Sequence, residues 1–155
     1  MVRKECFDRI GFFDENLPAG QDYDMWIRLA KHYQFDYVRE PLVLYRVHDK
    51  RITTDPHRKL RATKLLHTKY SKELITSLKH RKILGSWQFS LGVRYCKCGD
   101  LMRGKKELVK AIANDPFSIL YYATLFASFF GSTVFNLLID LSNSFLPTSF
   151  KIRII

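Results

Sequence analysis

The apolar pattern of this 155-residue chain changes once, near Pro56, and its two sides do not suit one repeating architecture. Up to residue 55, short apolar runs are punctuated by Gly11, Pro18, Gly20 and Pro41, an α/β texture. Beyond it, Leu60, Leu66, Tyr70, Leu74 and Leu78 recur mostly at four-residue intervals, with Leu65 and Ile75 beside them. Lys59, Lys64, Lys69, Lys72 and Lys79 occupy other faces, so residues 57–80 read as one long amphipathic helix.

On the first side, residues 11–20 form a loop and a helix begins at Asp22. Trp26, Leu29, Ala30 and Tyr33 fall at i, i+3, i+4 and i+7 and predict its buried stripe. Phe35 to Val38 and Leu42 to Val47 are rich in β-branched and aromatic residues and predict short strands, with Pro41 at a bend. Fifty-five residues are too few to close a sheet covered on both faces. The expected class is α+β, mostly α: a partial α/β segment over 1–55 and a helical tail over 56–155.

Charge divides along the same line. Residues 1–55 carry nine Lys/Arg against ten Asp/Glu, and residues 56–116 carry fifteen against four. Residues 117–155 carry two against one, so the net +11 of the chain resides in the middle segment. Such a field attracts polyanions or an anionic leaflet. Nucleic acid is disfavoured, because no zinc finger, helix-turn-helix or RNA-binding signature positions the charge. A lysine-rich amphipathic helix beside an apolar tail suits the inner face of a plasma membrane; the competing reading is a solvated face on a helix packed against the preceding segment.

The three cysteines, Cys6, Cys96 and Cys98, follow an N-terminus without an apolar signal region, which favours a reducing, cytoplasmic setting. Cys96-Lys-Cys98 lacks the second ligand pair of a structural zinc site and reads as two helix thiols. Leu91-Gly92, Tyr95, Ala111 and Pro116 match the spacing of one tetratricopeptide-type helix pair over about 85–116. Gly104 stands where that pattern usually has Ala, and Leu108 where it has Phe. One such pair cannot bury its own face and must dock on its neighbours. From Phe117 to Ile139 no residue is charged. This passes the threshold of about 18 residues for a spanning helix, but Ser, Thr and Asn dilute it and Gly131 interrupts it. Helices stacked on the pair are the alternative.

Chemistry is concentrated in Gly11-Phe-Phe-Asp-Glu, then Gln21-Asp-Tyr-Asp-Met-Trp-Ile-Arg-Leu29, then Pro41-Leu-Val-Leu-Tyr-Arg-Val-His48. These three linked motifs resemble, in order, the second half of family 2 glycosyltransferases of the A-type fold. The likeness covers residues 1 to about 55 and, more loosely, the tail to about 140. It implies a partial A-type α/β segment, with the nucleotide-binding half and its metal-holding Asp-x-Asp motif upstream. It implies an inverting transfer from a nucleotide-sugar donor to a glycan or lipid-linked acceptor, in cell-envelope polysaccharide synthesis. A divalent metal, Mn²⁺ or Mg²⁺, serves the intact enzyme, and this chain alone is expected to hold none.

Residue by residue, the resemblance makes Asp22 the general base for the acceptor hydroxyl; by itself the residue reads as an N-cap. Gln21 replaces a usual Glu and loses its charge. Asp14 and Glu15 belong to the acceptor-side loop, as sugar ligands or as turn formers. Trp26 stacks on a sugar or packs in the core. Asp24 reads as structural, a first-turn acid or an i+4 partner of Arg28. His48 and Arg46 match positions that reach the metal or donor diphosphate; the alternative is a solvent-exposed strand end. Competing with the fragment reading are a non-catalytic helical adaptor and a small membrane-associated polypeptide. If the donor half is a separate chain, it acts in trans.

Overall fold

The computed structural model describes residues 2–36, 55–74 and 78–145, and every element among them is helical. In chain order these are α1 (Lys4–Ile10), α2 (Gln21–Ala30), α3 (Pro56–Leu74), α4 (Leu78–Lys97), α5 (Leu101–Asn114) and α6 (Ile119–Ala127). A 3₁₀ turn over Ser128–Phe130 then leads into α7 (Gly131–Phe145). Of the expected strands, Phe35 and Asp36 are described and extend no ladder; the remainder, with Pro41, Arg46 and His48, lies outside the described residues.

Three apolar clusters hold the helices together. Cys6, Met25 and Leu29 join α1 to α2. Leu17, Leu66 and Tyr70 join the 11–20 loop to α3, with Tyr23, Ile27 and Trp87 packed around them. Phe89, Val93, Cys96, Leu108, Ala111, Phe135 and their neighbours fuse α4 through α7. Each fully buried Leu or Phe side chain contributes roughly 1.5–3 kcal/mol, so the third cluster dominates.

One expected stripe shifts register and another is narrower than the spacing suggests. In α2 the buried residues are Asp24, Met25 and Leu29, whereas Trp26 and Ala30 face outward. Helix α3 covers the Asp24 side through Lys69 and Tyr70, and α1 packs on Met25 and Leu29, so the buried arc rotates away from the one the apolar spacing marks. In α3, Ala62, Leu66 and Tyr70 are buried at four-residue intervals, but Leu65 is exposed.

The α4–α5 hairpin is the tightest contact, and glycines make it possible. A Cβ on Gly92 would lie 2.9 Å from Leu108 Cγ and 3.0 Å from the Gly104 carbonyl oxygen. A Cβ on Gly104 would overlap Cys96 Sγ and lie 3.0 Å from the Gly92 carbonyl oxygen. Leu108 and Ala111 fill the seam, both fully buried. Asp100 caps helix α5, its side chain accepting from the Arg103 N–H, and the helix ends at Asn114. Asp115, held extended by Pro116, cannot continue it.

The uncharged 117–139 stretch is divided. Gly131 has φ +88°, a value costly for other residues, and there the chain leaves the α6 direction. Helix α7 then packs Phe135 and Ile139 into the α4–α5 cluster. Ile119–Leu141 is long and apolar enough to cross a membrane by composition, yet it forms two helical pieces rather than one rod.

Candidate functional site

Helix α2 begins abruptly because Gly20 adopts a left-handed conformation, φ 76° and ψ 23°. That residue is also where the loop meets α3: a Cβ there would touch Leu66 Cδ1 at 3.3 Å. Gly20, not Asp22, is therefore the N-cap. Asp22 is the second helical residue, exposed, with the Tyr23 N–H donating to its Oδ1 at 2.8 Å.

Asp24, two residues on, is its opposite. It is fully buried, and both carboxylate oxygens are occupied. Arg28 Nε donates to Oδ2 at 2.9 Å, and Oδ1 accepts from the Tyr70 hydroxyl at 2.6 Å and Lys69 Nζ at 2.8 Å. Burial alone would raise the Asp24 pKa; the hydrogen bonds from Lys69, Tyr70 and Arg28 outweigh it and leave the carboxyl below its ordinary value. Two carboxylates one residue apart are thus divided into a structural anchor and an accessible group. The i+4 pairing of Asp24 with Arg28 matches the spacing; the two partners on α3 had no local signal.

The same side chains fasten the loop. The Arg28 guanidinium also donates to the carbonyls of Ile10 and Phe12, the latter at 2.7 Å. Gln21 Nε2 donates to the Leu17 carbonyl at 2.7 Å, so its amide holds the loop. From α3, Arg58 Nε donates to the Pro18 carbonyl at 2.6 Å. Lys69 spans both carboxylates, reaching Asp14 Oδ2 at 2.9 Å. Asp14 also accepts from the Asn16 backbone at 3.1 Å, an Asx-type turn. Those Lys69 and Asn16 hydrogen bonds hold the Asp14 carboxyl below its ordinary pKa. Glu15 is exposed on the loop.

Trp26 is 41% exposed, edge-on to Phe35 with ring centroids 6.0 Å apart. The core-packing reading of Trp26 does not hold, because the buried arc of α2 runs through Asp24, Met25 and Leu29 instead. Asp22 and Trp26 are four residues apart and so share one outward face of α2. Trp26 lines a cavity of about 720 Å³ together with Cys6, Leu29, Tyr33, Phe35 and others. An accessible carboxylate and an aromatic face on one rigid helix suit a polyhydroxylated ligand.

The structure thus places Asp22 and Trp26 on one face of α2, and it ties Asp14 through Lys69 to the Asp24 side and Gln21 to the loop. Arg58, Lys69 and Tyr70 are supports missed from sequence. Arg46 and His48 lie outside the described residues. Among the described residues, no three His, Cys, Asp or Glu side chains converge as a metal would require.

Known proteins give a partial likeness. A protein of Rickettsia typhi (strain ATCC VR-144 / Wilmington), named as an uncharacterized glycosyltransferase, is 32% identical over 74 residues. That match covers 48% of this chain but 23% of the relative, so the chain spans under a quarter of its length. The likeness indicates a glycosyltransferase relationship. No family model matches the chain, and no solved structure matches it.

Proposed function

We propose that residues 1–55 form the acceptor side of an inverting family 2 glycosyltransferase of the A-type fold, with 56–155 as its helical tail. The observation that carries this reading is the shared outward face of Asp22 and Trp26, on a helix whose preceding loop is tied down from both α2 and α3. The glycosyltransferase relative supports the class of reaction. Donor and acceptor are proposed as a nucleotide-sugar and a glycan or lipid-linked hydroxyl of the cell envelope.

In this mechanism Asp22 removes the acceptor hydroxyl proton as the oxygen attacks the anomeric carbon from the face opposite the nucleotide. The anomeric C–O bond breaks, and the diphosphate leaves with the electron pair. Trp26 orients the acceptor ring against its face, and the neighbouring loop supplies Asp14 and Glu15 as its rim. A divalent metal, when bound in the intact enzyme, would neutralise the departing diphosphate. His48 and Arg46 are the residues of this chain proposed to meet that charge.

The test is turnover of nucleotide-sugars by an enzyme carrying this segment together with its donor-binding half. Asp22→Asn is expected to lower kcat by roughly 10²–10⁴-fold at nearly constant acceptor KM. Trp26→Ala is expected to act mainly on acceptor KM. An unchanged rate in Asp22→Asn removes the base assignment.

A further inference from the structure

We infer that the outer face of α6 and α7 is an in-plane docking surface for an anionic lipid leaflet. The basic helix α3, which the sequence marks for that role, is unsuited to it. Its apolar stripe of Ala62, Leu66 and Tyr70 is buried in protein, and Lys69 is held by Asp14 and Asp24. Apolar surface is available elsewhere. Ile119 and Phe126 on α6, Phe129 in the 3₁₀ turn, and Val134, Leu137 and Leu141 on α7 are all exposed.

On α7 the exposed residues fall at i, i+3 and i+7, one stripe, while Phe135 and Ile139 form the opposite, buried stripe. The helix is apolar on both sides: one side meets the core of the protein, and Val134, Leu137 and Leu141 on the other are exposed. An exposed apolar stripe of this kind marks an interaction surface.

Charge identifies the occupant. The segment feeding this face, residues 56–116, carries fifteen Lys/Arg against four Asp/Glu. Lys105 of α5 stands over the Phe129 ring, 4.1 Å from its centroid, so the basic and apolar surfaces adjoin. The acid on α7, Asp140, is paired with Lys97 at 3.0 Å, which lowers its repulsion from an anionic surface. An apolar stripe with Lys105 at its edge, on a segment of net positive charge, fits an anionic leaflet, with rings and aliphatic chains below the headgroups and the ammonium among them.

The surface lies in the plane rather than crossing it. A span through 119–141 would have to straighten the chain at Gly131 and withdraw Phe135, fully buried, from the α4–α5 seam.

The experiment is co-sedimentation of the full chain with vesicles of phosphatidylcholine alone or mixed with phosphatidylserine, at low and high salt. Binding is expected with the anionic vesicles, falling steeply with salt because screening acts on exposed charge. Phe129→Ser with Leu137→Ser is expected to cut it roughly tenfold or more, with the helical circular dichroism unchanged because both side chains are exposed. Lys105→Gln is expected to weaken binding to anionic vesicles only. The inference is overturned by equal binding to neutral and anionic vesicles, or by none. Resistance to alkaline carbonate extraction would show a spanning helix and overturn it too. So would a concentration-dependent dimer that the double variant abolishes while vesicle binding persists.

Discussion

The Tyr70 hydroxyl of α3 donates a 2.6 Å hydrogen bond to Oδ1 of Asp24 in α2, across 46 residues of chain. That bond, with the Lys69 and Arg28 pairs, sets where the loop bearing Asp14 sits relative to the helix bearing Asp22. Removing the hydroxyl in Tyr70→Phe leaves Asp24 buried with one donor fewer. A hydrogen bond to a charged group contributes about 1.5–3 kcal/mol, and that loss is expected in urea unfolding. The same change in an Asp24→Ala background should cost much less, because the acceptor is already gone. Equal costs in both backgrounds would show that Tyr70 acts by packing alone.

Asp24→Ala itself is expected to cost about 3–5 kcal/mol, the usual range for breaking a buried pair. The low end applies, since the Lys69 side chain is 39% exposed and can turn to water. Calorimetry of the variant at neutral pH measures it, and a change under 1 kcal/mol would argue against an anchoring role.

The pH dependence of this anchor has a defined sign. Asp24 has a folded pKa below the ordinary 3.8, so its contribution is complete above 3.8 and lost as pH falls through the folded value. Burial opposes ionisation of Lys69, but its bonds to Asp24 and Asp14 prevail and raise it above 10.5. Its contribution is complete below 10.5 and lost as pH rises through the folded value. Between these limits the anchor is flat with pH. His67 adds a slope inside that range: burial holds its pKa below 6.5, Glu107 opposing and Lys110 assisting. Stability should therefore fall as pH drops below 6.5, where the unfolded chain takes the proton first. His67→Gln should remove that slope, read from urea midpoints, while the more acidic limb from Asp24 remains.

At the helix crossing, Gly104→Ala sets two effects against each other. Alanine favours the helix by about 1 kcal/mol, whereas overpacking costs about 1–3 kcal/mol. The steric term should win, because the new methyl meets Cys96 Sγ and the Gly92 carbonyl in a fully buried seam. A lower melting temperature is expected, partly restored by Cys96→Ala, which removes the sulfur. A rise in melting temperature would mean that the helices separate without cost.

Burial pushes the Cys96 thiol up to about 11, Lys105 and Asp100 exerting smaller opposing effects. It should resist thiol reagents at neutral pH in the native chain. Cys98, partly exposed just past the end of α4, should label before it. Mass spectrometry after timed labelling reads the order, and early modification of Cys96 would contradict the packed seam.

Several features were legible in the residues themselves because their causes are local. The four-residue spacing of Leu66 and Tyr70, the Asp24–Arg28 pair and the break at Gly131 each depend on neighbours within a turn or on one residue's backbone freedom. Gly92, Ala111 and Leu108 carried the helix-pair spacing for a similar reason: close crossing demands small side chains at fixed offsets. Tertiary structure decided what spacing cannot express. It turned Trp26 outward and Asp24 inward, because α3 and α1 cover the arc through Asp24, Met25 and Leu29 and leave the Trp26 face open. It made Lys69, one of many lysines on a basic helix, the bridge between Asp14 and Asp24. It buried the apolar stripe of α3 and left one apolar stripe of α7 exposed. Sequence periodicity reports that a face is apolar, but only the packing of distant segments determines which apolar faces lose their water.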